Sequence, residues 1–297
     1  MKKQISFFVT VFALASVFSA IDAQSQRLER SVSSSSREDG PVTDCGDIRV
    51  RYDRRPAITE ESEMTLAATQ VSPLRVQLTN AGIYVNGWDR NDYSVKTCKA
   101  VPDDPDATAK LREIRTAANG NGQLTVSGPS SGEWRADLII MVPRLSSMEI
   151  ETANGPIQLR ELAGAIRLNA RNGPIKLHNI GGVVETTTTN GPISLTGASG
   201  DHRVKAVNGP ISIALSGSRW EGPGLEVSTR NGPLSLSIPD AYSSGIQIGV
   251  SGSSPVSCKA AICAGAMQTP GSQKVIRIGS GDPTVRLSTE NGPLSIR

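Results

Sequence analysis

Asparagine recurs in this chain in a form that invites a chemical reading. The tripeptide Asn-Gly-Pro stands at Asn154, Asn172, Asn190, Asn208, Asn231 and Asn291. A carboxamide carries one acceptor oxygen and two donor hydrogens, so such a file could hold a polar ligand or bond to itself. Regular recurrence favours a structural ladder, each amide bonding to the next. Five residues before each Asn stand Glu149, Arg167, Glu185, Arg203, Glu226 and Arg286, alternating strictly in sign. Side by side on neighbouring strands, they would set register by ion pairing. Exposed pairs of this kind contribute roughly 0–1 kcal/mol each, so they specify more than they stabilise. Four residues after each Asn come Gln158, Lys176, Ser194, Ser212 and Ser235. Six after it come Arg160, His178, Thr196, Ala214 and Ser237. From these rows Gln158, Lys176, Ser194, Thr196, Ser212 and Ser235 form the candidate binding face. Hydroxyls and amides repeating at ~4.8 Å would suit an extended polymer, held by many weak contacts.

Catalytic arrangements fit less well. Glycan hydrolysis needs two carboxylates facing one cleft. Glu149 and Glu151 share an outer face, but Arg167 and Arg203 interleave the acidic residues. Histidine occurs at two positions, His178 and His202, and His202 falls in an apolar row. That implies no Ser-His-Asp set. No Asp cluster points to calcium, and the cysteines lack the spacing of a zinc site. The run Thr186 to Thr189 invites an ice-binding reading. However, Thr152, Thr188, Thr229 and Thr289 fall on an inward row that Ala interrupts. The chain is therefore expected not to be an enzyme, with no catalytic, cofactor-binding or metal residues and no cofactor. The rival reading is a carbohydrate-active enzyme, a polysaccharide lyase or hydrolase on a β-helix scaffold.

The elements that would position these rows follow from the repeat itself. The first four tripeptides are 18 residues apart, and the next gaps are 23 and 60. Six, four and two residues before the Asn, and three and five after it, the positions are mostly aliphatic. Ile150, Leu168, Val204, Val227 and Leu287 stand four before; Ile157, Ile175, Ile193, Ile211, Leu234 and Leu294 stand three after. Polar residues fill the alternate positions. This is period-2 alternation on both sides of a Gly-Pro break, hence two half-buried strands per repeat. One repeat cannot bury its own aliphatic face, but stacked repeats close a continuous core. The fold class expected is all-β: a single parallel β-solenoid, or β-helix, of about 18-residue coils with Asn-Gly-Pro corners. The register reaches upstream, with Leu74, Val76 and Leu78 before Asn80, and Ile83 and Val85 after it. Leu124 and Val126 follow Asn121-Gly122 in the same way.

Four divisions result. Residues 1–23 read as a signal peptide: Lys2 and Lys3, an apolar run from Ile5 to Ala20, then Ile21-Asp22-Ala23. Residues 24–44 are polar and Ser-rich and read as a disordered linker. Residues 45–73 would form an N-terminal cap. Residues 74–297 would form the β-solenoid, with insertions near 97–115 and 239–283. The first holds a short helix near 104–114, the second strands near 246–250 and 274–278. No transmembrane segment is expected after signal cleavage. The formal charge of +3 falls to +2 on cleavage, and aromatics make up 4% of the chain. Neither a basic cluster nor a base-stacking platform is present, so nucleic acid is not an expected partner. An even count of four cysteines, Cys45, Cys98, Cys258 and Cys263, suits disulfides in an exported chain. Three connectivities are open. The close pair Cys258/Cys263 most simply closes a small loop, and Cys45 with Cys98 would then tie the N-terminal segment down.

The repeated Asn-Gly-Pro-Ile/Leu-x-Leu/Ile, the Gly87-Trp88-Asp89 segment, and Val142-Pro143 before the first regular repeat carry a family resemblance. Over roughly residues 74 to 297 the chain resembles the bacterial putative-adhesin family of unknown function, related to auto-transporter adhesin head domains. The resemblance implies a β-solenoid in the cell envelope and brings no catalytic residues with it. The expected role is a non-catalytic, exported, adhesin-like protein of the periplasm, cell surface or extracellular space. Its expected partner is a cell-surface or envelope glycan or protein.

Overall fold

The structure is a computed structural model that describes residues 32–36, 40–68, 71–130, 132–251, 254–269 and 273–297. The expected signal peptide, and 24–31 and 37–39 of the expected linker, lie outside the described residues.

Alternating aliphatic and polar residues put every second side chain on one face of a strand. Here they do so on both sides of each corner. Before the Gly-Pro run the strands Met148–Asn154, Ala165–Asn172, Val183–Asn190, Ser199–Asn208, Glu221–Asn231 and Ser280–Asn291. After it run Ile157–Leu162, Ile175–Ile180, Ile193–Gly197, Ile211–Leu215, Leu234–Ser237 and Leu294–Ile296. Each pairs in parallel with its counterpart in the next layer, and residues at equal offsets from the Asn face one another. Ile150 meets Leu168, Leu168 meets Thr186, and Ile157 meets Ile175. The corner carries the chain from one sheet to the other, and the inward rows of both sheets share one apolar core.

The corners stack as closely as the strands. In the six Asn-Gly-Pro corners the Gly has φ between 135° and 158°, which side-chain-bearing residues rarely adopt. A Cβ on Gly173 would lie 2.2 Å from the carbonyl oxygen of Gly155 in the layer beneath. Backbone meets backbone there, so glycine is demanded twice over.

The chain is nevertheless not the single parallel β-solenoid, or β-helix, that the repeat implies. It forms two large mixed sheets of 11 and 12 strands, and a separate antiparallel sheet of three. Antiparallel pairing enters where the Asn-Gly-Pro period lapses. Ile58–Ala67 pairs antiparallel with Asp92–Val101, which pairs antiparallel with Arg135–Pro143. Arg115–Ala118 and Gln123–Ser127 form another antiparallel pair. Near the other end Ser244–Ser251 pairs antiparallel with Gln273–Ile278. Of these pairs only Arg115–Ala118 and Gln123–Ser127 are joined by a turn too short for a parallel crossover. The others bring together strands that lie outside the tripeptide repeat.

The layers also depart from chain order. Leu74–Asn80 lies between Met148–Asn154 and Gln123–Ser127, and Ile83–Trp88 lies between Ile157–Leu162 and Arg135–Pro143. At the opposite end Ser280–Asn291 slots between Glu221–Asn231 and the earlier Ser244–Ser251. Leu124 consequently stands opposite Val76, not beside Ile83 as its place after Asn121-Gly122 implies. The turn at Asn121-Gly122 resembles a corner in sequence but closes a hairpin within the 12-stranded sheet, joining Arg115–Ala118 to Gln123–Ser127.

Inside the segment expected to be a linker, Val32–Ser36 pairs antiparallel with Ile48–Tyr52. Val42, Ile48, Val50 and Tyr52 pack on Tyr84, Ala100 and Ile139. The N-terminal segment thus covers outward apolar side chains of the 11-stranded sheet. Its Cys45 is bonded to Cys98 (Cα–Cα 5.4 Å), and Cys258 is bonded to Cys263. The helix in the first insertion spans Ala107–Glu113.

A histidine lies within the apolar core. His202 occupies the row of Val184 and Leu225, is buried, and meets the Trp220 ring edge-on at 5.3 Å. Burial pushes its pKa down to about 4 from an ordinary 6.5.

Two stability measurements check this packing. Gly173→Ala is expected to cost about 3 kcal/mol in chemical denaturation, through both the strained angle and the backbone clash. Gly197→Ala, where a Cβ meets nothing within 4 Å, should stay within about 1 kcal/mol. Equal costs would show that the corners do not stack backbone on backbone. For His202, the unfolded chain takes up a proton between pH 6.5 and 4 that the folded chain refuses. Stability is therefore full above pH 6.5 and falls as the pH drops toward 4, by about 3 kcal/mol. His202→Leu should remove that increment of acid sensitivity. Parallel losses in parent and variant between pH 7 and pH 4 would refute it.

Candidate functional site

Three outward rows were singled out by their chemistry, and the structure gives each a different role. The asparagines form a ladder. Asn154, Asn172, Asn190, Asn208, Asn231 and Asn291 each donate Nδ2 to the Oδ1 of the preceding asparagine, at 2.8–3.0 Å. The first acceptor is Asn80, which lacks the Gly-Pro that marks the others. The amides consume one another's donors and acceptors along the column, which makes them structural.

The charged row lies on the outer face of the 12-stranded sheet, in the expected order. Arg75 extends it by one layer. Its ions draw together in pairs: Arg75 with Glu149 at 3.0 Å, Arg167 with Glu185 at 3.0 Å, and Arg203 with Glu226 at 4.0 Å. In the neighbouring row Gln77 donates to Glu151 at 3.4 Å and Thr187 donates to Asn169 at 2.5 Å. Glu149 and Glu151, the carboxylates that a hydrolase reading would need, are thus held by groups one layer away on an open sheet face. The inward threonines Thr152, Thr186, Thr188, Thr229 and Thr289 are buried.

The hydroxyl row lies on the outer face of the 11-stranded sheet. Its first member does not belong to an open surface. Gln158 is 5% exposed and donates Nε2 to the Gly40 carbonyl at 3.1 Å, beneath the N-terminal segment. Lys176 and Thr196 are half-buried, Ser194 and Ser212 are exposed, and Ser235 is half-buried. Lys176, Ser194, Ser212 and Ser235 stand in register on four successive parallel strands. Ser235 and Ser212 share a hydrogen bond of 3.1 Å. Two further serines continue the row. Ser295 faces Ser235, and Ser257 faces Ser295, both exposed. Ser295 stands four residues after Asn291, so the repeat could have supplied it. Ser257 sits on a strand without the tripeptide, and nothing in the repeat points to it.

No family model matches the chain, and no curated protein matches it. Among solved structures, one described as a "putative cell adhesion protein" from Clostridium sporogenes is 14% identical, with a TM-score of 0.34, over 80% of this chain and 98% of that one. A "putative adhesin" from Bacteroides fragilis is 11% identical, with a TM-score of 0.43, over 80% and 96%. A "putative lipid binding protein" from Parabacteroides distasonis is 10% identical, with a TM-score of 0.33, over 80% and 96%. Two of the three carry the adhesin description that the repeated motif implies, and none bears on auto-transporter head domains. With TM-scores below 0.5, these likenesses assign neither family nor function to this chain.

Proposed function

We propose that this chain is a non-catalytic, exported, adhesin-like protein of the cell envelope that holds an extended surface polymer along its row of serines. The observation that carries the reading is the run Ser194, Ser212, Ser235, Ser295 and Ser257, in register on successive strands of one sheet. Strand spacing sets these hydroxyls at ~4.8 Å intervals. A hydroxyl donates and accepts, so each offers a weak contact to a glycan hydroxyl, and repetition adds the contacts. The opposite outer face is the poorer candidate, because its ions are paired with each other. Disulfides between Cys45 and Cys98, and between Cys258 and Cys263, fit the oxidising compartments outside the cytosol. Among the described residues no helix is long and apolar enough to cross a membrane.

The test is a double variant, Ser194→Arg with Ser212→Arg. Both positions are exposed, so its melting temperature should match the parent's. The parent should be retained on cell-wall or envelope polysaccharide resin, and the variant should lose roughly tenfold or more in affinity. Equal retention of the two proteins would rule this face out, as would a parent that no such polysaccharide retains.

A further inference from the structure

The file of corners that joins the two large sheets ends at Asn80-Ala81-Gly82. The next layer outward is joined differently. Between Gln123–Ser127 and Arg135–Pro143 the connection runs over 128–134, longer than a Gly-Pro corner. The file therefore stops one layer short, and a cleft of about 700 Å³ opens at its end. Small-molecule sites span roughly 300–1,000 Å³. The cleft is lined by Tyr52, Gln77, Asn80, Trp134, Arg135 and Asn154 among others.

Its chemistry selects a class of ligand. Arg135 lies 2.7 Å from the fully buried carboxylate of Asp137, so its charge is answered within the protein. Glu133 is the other charged residue of the lining. Among the described lining residues an anionic ligand would meet no uncompensated cation, so the cleft suits a neutral one. Trp134 donates its indole N–H to the Pro129 carbonyl at 3.1 Å, which leaves the ring to contribute its apolar face. The ring is fixed in place: it packs so closely on Gly128 that a Cβ there would lie 2.6 Å from Trp134 Cε2. The polar partner comes from the amide ladder. Every bond in it runs from the Nδ2 of a later asparagine to the Oδ1 of an earlier one. Asn80 thus accepts from Asn154, and no ladder residue is left to receive its own Nδ2 hydrogens. A polarised hydrogen-bond chain ends in an enhanced donor, and this one ends in the cleft.

We propose that this cleft binds a neutral pyranose unit, its C–H face against Trp134 and one of its oxygens accepting from Asn80 Nδ2. The site does not depend on the serine row and is tested apart from it. Saturation-transfer NMR reads the sugar protons, so the tryptophan variants do not disturb the readout. The probes are N,N′-diacetylchitobiose, cellobiose and maltose, titrated against the whole exported protein. At least one should show saturable binding. Trp134→Leu, which still fills the space beside Ala136, should weaken it roughly tenfold. Trp134→Phe, which keeps an aromatic face, should weaken it less than about threefold. Asn80→Asp keeps an acceptor for Asn154 and loses the donor, so it should also weaken binding. The Ser194→Arg/Ser212→Arg protein should bind as the parent does. No saturation with any of the three sugars overturns the proposal. So does unchanged affinity in Trp134→Leu or Asn80→Asp, or tighter binding of galacturonic acid than of the neutral sugars.

Discussion

The contact on which the rest depends is between backbones. At each Asn-Gly-Pro corner after the first, the carbonyl oxygen of one glycine occupies the place where the next would carry a Cβ, and at Gly155 the Ala81 carbonyl does so. Gly173 on Gly155, Gly191 on Gly173, and Gly209 on Gly191 repeat it at 2.2–2.3 Å. This forces the corners to stack in step with the strands. Asn then meets Asn in every periodic layer, including Asn208 with Asn231 across the longer gap of 23 residues. The extra residues of that gap are taken up at the far corner, where the pairing of Ser199–Asn208 with Glu221–Asn231 shifts register between Ser199 and Asp201. One corner is rigid and the other absorbs insertions. Once the register is fixed, every offset from the Asn becomes a column of one chemical kind.

Parallel stacking solves the interior and leaves the ends open. A sheet edge presents unpaired backbone groups and invites further pairing. Here three of the four edges of the two large sheets end in an antiparallel strand, and the fourth, Val256–Cys258, pairs in parallel with Leu294–Ile296. The outermost strand of the 11-stranded sheet, Ile58–Ala67, carries Glu60, Glu61 and Glu63, and charge on an edge discourages uncontrolled addition. Disulfide Cys45–Cys98 pins the N-terminal segment to the neighbouring strand Asp92–Val101.

What was legible in the sequence is what the period wrote there. The strands flanking each Asn, their inward and outward faces, the amide ladder and the order of the charged row all follow from offsets to one tripeptide. The mixed character of the sheets was not legible. Segments such as Asp92–Val101 and Arg135–Pro143 are strands without the tripeptide, and alternation alone does not give strand direction. Chain order was equally silent on the slot that Ser280–Asn291 fills, because a layer's neighbour is set by contact and not by sequence. Gln158 was misleading for a related reason. Its offset places it on the outer face correctly, but the cover over that face comes from Gly40, 118 residues away.

The two outer faces differ in what they leave unsatisfied. On the 12-stranded sheet the side chains answer one another, arginine to glutamate, Gln77 to Glu151 and Thr187 to Asn169. On the 11-stranded sheet the face divides. Near Tyr84 and Ile139 it is apolar, and apolar surface is driven to find cover; the N-terminal segment supplies it with Val42, Ile48, Val50 and Tyr52. Beyond Gln158 the same face turns to serine, and the described N-terminal strands have nothing apolar there to bury. Where the cover stops is therefore set by the change from aromatic and aliphatic side chains to hydroxyls along a single sheet. The stretch left uncovered is the one whose groups have hydrogen-bonding capacity to offer a partner.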